Sequence, residues 1–416
     1  MIAAGDNALQ INEDRLWSTI MRSSEIGPGV AGGLSRLALS DADRQVRDEF
    51  RSWCEAAGLT VTVDRLGNMF ARREGREPDL PPVLIGSHLD TQIAGGRFDG
   101  ILGVLAGLEI VRTLNDRGLE TRRPIEIVNW SNEEGARFAP PMSASAVFAG
   151  VQTLEWGLSR TDASGATFAG ELERIGYAGA SAVGKREIDA YFELHIEQGP
   201  ILDKARIPVG IVTGSYPVRG YVANLIGETS HAGPTPMIDR RNALVGAAIA
   251  AVGVNEIGWR HAPDGKSTVT RIESWPNLVG IVPSWAQVTV DMRHPDPVVV
   301  EGMAKEFADA LTEAAQRANV AAEVVEEWTY GGEAFDPECV GLVRDAAESL
   351  GYGNMDILSQ AGHDAFNLAR IAPTAMIFCP CKDGVTHNEA EDCAPGDVFP
   401  SVNVLMHAAL ARADRA

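Results

Sequence analysis

The chain is predicted to be an α/β protein in which a larger domain is interrupted by a smaller one, and two observations lead there. Short apolar runs of strand length alternate with helical periodicity through residues 59–196 and again beyond 336; that order builds a sheet covered by helices on both faces. Between about Gly214 and Tyr330 the order changes to strand, helix, strand, strand, helix, strand, the split β-α-β pattern of a ferredoxin-like domain. The expected division is residues 1–213 with 331–416 for the larger domain and 214–330 for the smaller.

Taken in order, residues 13–26 and 41–57 read as amphipathic helices. The second opens at Ser40 or Asp41 and carries Val46, Phe50 and Trp53 at helical spacing. Strands are expected at 59–63 and 69–71 around the turn Asp64-Arg65-Leu66-Gly67-Asn68, and a buried strand at 82–86. A helix over 102–115, strands at 125–130 and 190–196, and a helix from about Ser143 complete this half. The smaller domain has expected strands at 221–227, 267–275, 286–293 and 321–328 and helices at 241–256 and 297–318, the latter opened by Asp296-Pro297 as N-cap and first helical residue. A helix over 336–350, a loop at Gly362-His363-Asp364 and a strand over 374–378 follow.

Of 416 residues, 45% are hydrophobic and 22% charged, the composition of a soluble globular enzyme. Lys and Arg total 36 against 57 Asp and Glu, a formal charge of −21. Such a surface repels polyanions, so neither nucleic acid nor membrane is an expected partner. The first 25 residues hold no basic segment leading into an apolar run, and no run approaches the ~20 apolar residues that span a bilayer; a cytoplasmic location is expected. Cys54, Cys339, Cys379, Cys381 and Cys393 read as free thiols. Cys379-Pro380-Cys381 lacks the second pair of a thiolate metal site and reads as packing at a strand end.

In an open α/β sheet, ligands bind beyond the carboxyl ends of the strands, and the polar residues there form one chemical set. They are Ser87-His88-Leu89-Asp90, Gly95-Gly96-Arg97-Phe98-Asp99-Gly100, Ser131-Asn132-Glu133-Glu134-Gly135, His195 with Glu197, and Gly384-Val385-Thr386-His387-Asn388-Glu389. Each has an ordinary reading alone: a turn, a solvated acidic loop, a strand histidine, a loop histidine. Together they place three of eight histidines beside carboxylates at one sheet edge. Mixed histidine and carboxylate ligation suits zinc and its neighbours. Two ions about 3.5–4 Å apart would share one carboxylate, with a water or hydroxide between them as nucleophile. Of two adjacent glutamates, one can ligate while the other moves the proton.

The segments GSHLDTQIAGGRFDGILGVLAG (86–107), NWSNEEGARFAPPMSASAVFAG (129–150), ELHIEQGPIL (193–202), SHAGPTPM (230–237), AGHDAFNLAR (361–370) and DGVTHNEAED (383–392) resemble, in order and over nearly the whole chain, the amidase branch of the M20 metallopeptidase family. That branch holds N-carbamoyl-L-amino acid hydrolases, β-ureidopropionases and allantoate amidohydrolases. The resemblance implies a zinc-exopeptidase-like catalytic domain with an inserted ferredoxin-like lid and dimerisation domain, a homodimer, and two divalent ions. Zinc is expected, though manganese, cobalt or nickel accept the same ligands.

By that resemblance His88, Asp99 and His195 hold one ion and Asp99, Glu134 and His387 the other, with Asp99 bridging. Glu133 is the general base and Asp90 orients His88. Gln198, His231, Asn277 and Arg293 contact substrate, with His231 polarising the scissile carbonyl from the neighbouring subunit. Arg293 is the natural clamp for a substrate carboxylate, since a guanidinium meets a carboxylate bidentately. The histidine at position 195 separates this branch from aminoacylase and carboxypeptidase relatives, which carry a carboxylate there. His363 is left outside the metal shell. The reaction implied is hydrolysis of the ureido C–N bond of an N-carbamoyl amino acid, a small ureido acid, to amino acid, ammonia and carbon dioxide. Allantoate, ureidoglycolate and N-carbamoyl-β-alanine are the alternative substrates. A metal-free binding protein on the same fold would lack ligands, whereas all five and the base are present. Residues 215–221 depart from an average member and add Tyr216, Arg219 and Tyr221 beside the expected substrate path.

Overall fold

The apolar runs Val83–His88, Ile125–Trp130, Ala190–Ile196 and Thr374–Cys379 are buried at every residue, as strands covered on both faces must be. In the computed structural model, which describes residues 9–184 and 186–415, they form the parallel middle of an eight-stranded sheet. The strand order is Thr60–Val63, Met69–Arg73, Ile125–Trp130, Val83–His88, Ala190–Ile196, Thr374–Cys379, Val209–Ser215, Asn354–Ser359. The first two strands pair antiparallel with their neighbours, and Val209–Ser215 pairs antiparallel with Thr374–Cys379. The parallel strands all run the same way, so their carboxyl ends lie along one edge.

Helix Ile101–Asp116 is apolar around nearly its whole circumference and is buried from Ile101 through Val111. Burying each of its Leu and Val side chains is worth roughly 1.5–3 kcal/mol. Helix Asp41–Ala56 starts where Ser40 Oγ accepts the N–H of Asp43, and Asn12 caps Glu13–Ser23 in the same way. Sequence reasoning did not find strands Val209–Ser215 and Asn354–Ser359 or helix Pro395–Ala413. Two glycines interrupt the first, and Pro400 inside the last reads as a breaker although it lies near the start of that helix.

By internal contacts the chain divides into one unit comprising residues up to Thr213 and from Ala334 onward, and a second comprising Gly214–Glu333. The return falls three residues beyond the predicted boundary. The second unit holds an antiparallel sheet ordered Ala321–Tyr330, Val218–Ile226, Trp285–Arg293, Lys266–Trp275. In chain order that is fourth, first, third, second. Helices Ala243–Arg260 and Pro297–Ala318 close its core around Leu225, Ala247, Val254, Val288, Val290 and Phe307. Among the described residues no helix is long and apolar enough to cross a membrane. All five cysteines are buried free thiols.

Candidate metal centre

Each parallel strand delivers one part of the site at its carboxyl end. His88 closes Val83–His88, Glu133 and Glu134 follow Ile125–Trp130, His195 lies in Ala190–Ile196, and His387 follows Thr374–Cys379. Asp99 sits just ahead of helix Ile101–Asp116, beside Gly100, whose φ is +66° and where a Cβ would lie 2.2 Å from the His88 ring. Only glycine lets that turn close against the histidine.

Two sets of ligand atoms result, His88 with Asp99 and His195, and Asp99 with Glu134 and His387, each within 4.8 Å of one another. Asp99 belongs to both and divides its oxygens between them. Its Oδ1 lies 3.1 Å from His195 Nε2 and 3.6 Å from His88 Nε2, and its Oδ2 lies 3.5 Å from His387 Nε2. Glu134 Oε2 is 3.3 Å from the same His387 nitrogen. Ligands at 2.0–2.1 Å in a tetrahedral shell stand roughly 3.3 Å apart, so these spacings match the edge of such a shell. His88 and His195 point Nε2 inward because each Nδ1 contacts a backbone carbonyl at 2.9 Å, that of Asp90 and that of Ile196, which fixes the tautomer a ligand needs.

The charges fit a cation. Burial opposes a charge on His195, yet its bond to Asp99 and the carboxylates of Asp99 and Glu193 raise it to about 9. Burial likewise opposes charge on half-exposed His387, and Glu134 with Asp99 lifts it to about 9. Burial would raise Asp99, but the three histidines hold its carboxyl well below the usual range. Without a metal, imidazolium protons supply the positive charge that these carboxylates demand. Divalent ions held by the same residues would replace them.

Glu133 borders the first set, with Oε2 3.5 Å from His88 Nε2, and belongs to neither. Burial, followed by the charges of Asp364, Glu134, Asp90 and Asp99, pushes its carboxyl well above the usual range, the direction a proton carrier needs. Asp90 meets His88, as expected, and the atom it uses is specific. Its backbone carbonyl, not its carboxylate, meets His88 Nδ1. The carboxylate is committed elsewhere, accepting the N–H groups of Glu133 and Glu134 at 3.3 Å each. Gln198 donates from Nε2 to Asp99 Oδ2 at 2.8 Å, so it braces the shared carboxylate. Glu197 caps helix Ile201–Ala205 by accepting the N–H groups of Ile201 and Leu202. His363 packs edge-on to His195 at 4.4 Å between ring centroids and belongs to neither set.

The supporting contacts of three residues escaped sequence reasoning. Gln92 donates its N–H and side-chain amide to the two oxygens of Glu134, at 3.1 and 2.8 Å. Glu391 accepts the N–H groups of Phe98 and Asp99 at 2.9 and 3.1 Å. Thr386 donates to Asp99 Oδ2 at 3.0 Å. The one available signal was Gly96, where a Cβ would lie 1.9 Å from the Glu391 carboxyl.

His231, Asn277 and Arg293 belong to the second unit. His231 is exposed, and its Nδ1 accepts the Gly233 N–H at 3.1 Å, which leaves Nε2 as a donor. Asn277, at φ +49°, lies in the turn between Lys266–Trp275 and Ile281–Val282, the short strand that pairs with Ser230–His231. Arg293 donates to both oxygens of Asp291, at 2.6 and 3.1 Å, and to Tyr330 Oη at 3.3 Å. Arg219 is ion-paired with Glu301, and Tyr216 lies under Lys266.

Comparison with known proteins shows similarity over nearly the whole chain. The chain is 46% identical over 414 residues to an N-carbamoyl-L-amino-acid amidohydrolase of Rhizobium meliloti, covering 100% of this chain and 99% of that protein. It is 36% identical over 407 residues to an N-carbamoyl-L-amino acid amidohydrolase of Geobacillus stearothermophilus, covering 95% and 98%. A crystal structure of a hydantoinase/carbamoylase family amidase from Burkholderia vietnamiensis superposes with a TM-score of 0.94 at 49% identity, covering 99% of both chains. Residues 84–411 match the model of peptidase family M20/M25/M40, a span that includes every residue of both ligand sets, and the chain belongs to that family.

Proposed function

We propose that the protein is a binuclear metal-dependent amidohydrolase that cleaves the ureido C–N bond of an N-carbamoyl amino acid, giving amino acid, ammonia and carbon dioxide. The observation that carries this reading is the division of Asp99 between two ligand sets with Glu133 at their border. His88, Asp99 and His195 would hold one ion and Asp99, Glu134 and His387 the other. Two divalent ions so held, zinc by preference, supply Lewis acidity at the carbonyl and lower the pKa of water.

The chain's own groups do the rest. Glu133 takes a proton from the attacking water at its carboxylate and returns it to the leaving nitrogen. His231 donates from Nε2 to the developing oxyanion. Arg293 takes the substrate carboxylate in place of Asp291, and Asn277 adds a polar contact. The second unit acts as lid and dimerisation domain, so that His231 serves the site of the other subunit in a homodimer. Five unpaired buried thiols support a reducing compartment, the cytoplasm. The test is ammonia release from a panel of N-carbamoyl-L-amino acids, N-carbamoyl-β-alanine, allantoate and ureidoglycolate, with and without chelator. Turnover of an N-carbamoyl-L-amino acid that chelator abolishes is expected. Chelator-insensitive turnover, or none on that class, would overturn the reading.

A further inference from the structure

His387 is the exposed ligand of the set and the one with an awkward backbone. Its side chain is about half accessible and its φ is +49°, a left-handed conformation that a non-glycine residue holds only when its surroundings impose it. The other two histidines are buried within or at the end of sheet strands. Something else must hold His387 in place.

Two residues further along, the carboxylate of Glu389 accepts the backbone N–H of Val30 at 3.1 Å, that of Gly33 at 3.2 Å, and that of Ala31. Successive N–H groups converging on one carboxylate form an anion-binding nest. The loop is shaped to receive it. A Cβ at Gly29 would lie 2.3 Å from Glu389 Oε2, with all three of its nearest atoms in that carboxylate, and a Cβ at Gly33 would lie 2.6 Å from the Glu389 Cα.

The same loop reaches the other ligand-bearing turns. Leu34 and Gly95 exchange backbone bonds at 2.9 and 2.8 Å, four residues ahead of Asp99. Arg36, fully buried, donates from Nε to the Leu89 carbonyl at 2.7 Å, and its N–H donates to Thr91 Oγ1 at 2.8 Å. Residues 27–36 therefore form a strap across the turns that carry His88, Asp99 and His387.

We propose that Glu389 is a positioning residue for His387, seated in the nest of residues 29–33, and that this latch sets the affinity of the ion held by Asp99, Glu134 and His387 without touching it. The inference rests on the two-ion reading above. Removing the latch loosens the His387 loop, which Thr386 and Glu391 still tie to the Asp99 turn, whereas His88 and His195 keep their positions in the sheet. Loss of a supporting partner of this kind costs about 10–100-fold in metal affinity.

The experiment is metal titration of the chelator-stripped full chain, followed by metal content after dialysis. Wild type should hold two ions. Glu389→Ala should hold one, its weaker ion bound roughly 10–100-fold less tightly and its tighter ion unchanged, with the thermal unfolding midpoint of the metal-free protein near wild type. Gly29→Ala, which evicts the carboxylate from the other side, should give the same one-ion state, and Glu389→Gln, which keeps one acceptor oxygen, an intermediate one. Because both act on one ion, Glu389→Ala combined with His387→Ala should lose no more metal than His387→Ala alone. Glu389→Ala and Gly29→Ala holding both ions as wild type does, or losing both ions equally, would overturn the proposal. A wild type that binds fewer than two ions would overturn the two-ion reading and this inference with it.

Discussion

Glu391 Oε1 accepts the backbone N–H of Asp99 at 3.1 Å across 292 residues of sequence, so one carboxylate ties the loop of the shared ligand to the loop of His387. The Phe98 N–H joins at 2.9 Å, and Thr386 lies 3.3 Å from the other oxygen. Burial, and then the charge of Asp99, push the Glu391 carboxyl up to about 7. Glu391→Ala leaves two buried N–H groups without an acceptor, at about 1–3 kcal/mol each. Urea unfolding should show that loss, with Glu391→Gln milder. Unchanged stability in the alanine variant would mean that the loops hold themselves.

Asp99→Ala removes the only residue common to both sets. Metal content should fall for both ions, and ammonia release should disappear. A variant that keeps one full equivalent at wild-type affinity would show that the two sets do not depend on the shared carboxylate.

Glu133 and Glu134 are neighbours with different expected tasks. Glu133→Gln should keep wild-type metal content and lose roughly 10²–10⁴-fold in rate, the range of general-base catalysis. Glu134→Gln should lose metal. The reverse pattern would exchange the two roles.

Metal uptake should release protons. His195 and His387 are raised to about 9 in the metal-free chain, so both carry a proton at neutral pH, and a ligating nitrogen must shed it. About two protons per chain should therefore appear on binding near pH 7, read by calorimetry in buffers of different ionisation enthalpy. Affinity should rise with pH up to about 9 and level off above it. Uptake without proton release would contradict the assignment of these histidines as ligands.

Mixing Glu133→Gln with His231→Ala chains under subunit exchange tests the shared site. Random pairing makes half the dimers mixed, each with one complete site, so activity should recover to about a quarter of wild type. No recovery despite demonstrated exchange would place His231 in its own chain's site or in none.

The residues of the two candidate sets were legible because a strand that ends in His88 or precedes Glu133-Glu134 puts polar groups at the sheet edge, and the family resemblance then sorted them. Gln92, Glu389 and Glu391 were not, because each acts on a partner brought close only by the fold. Glu389, for example, meets Ala31 across 358 residues. Asp90 was legible as the residue that orients His88, and the fold selects its carbonyl for that contact. Strand Val209–Ser215 was missed because Gly210 and Gly214 break the apolar run; in the structure Gly210 sits against the side chains of Leu202, Ile357 and Phe378.

Strand Thr374–Cys379 lies between Ala190–Ile196 and Val209–Ser215, so the sheet is completed from the inside by the last of its eight strands in chain order. Until then the nascent chain has a gap beside the strand of His195 and lacks His387 altogether. The second unit has every strand and helix within Gly214–Glu333 and needs nothing that comes later. Because non-local pairings wait for their partners, synthesis should produce a protease-resistant 214–333 segment while the flanking sheet is still open. Chains stalled at residue 373 and digested briefly should yield that segment alone; protection of residues 83–196 at the same length would show that the sheet can form around the gap.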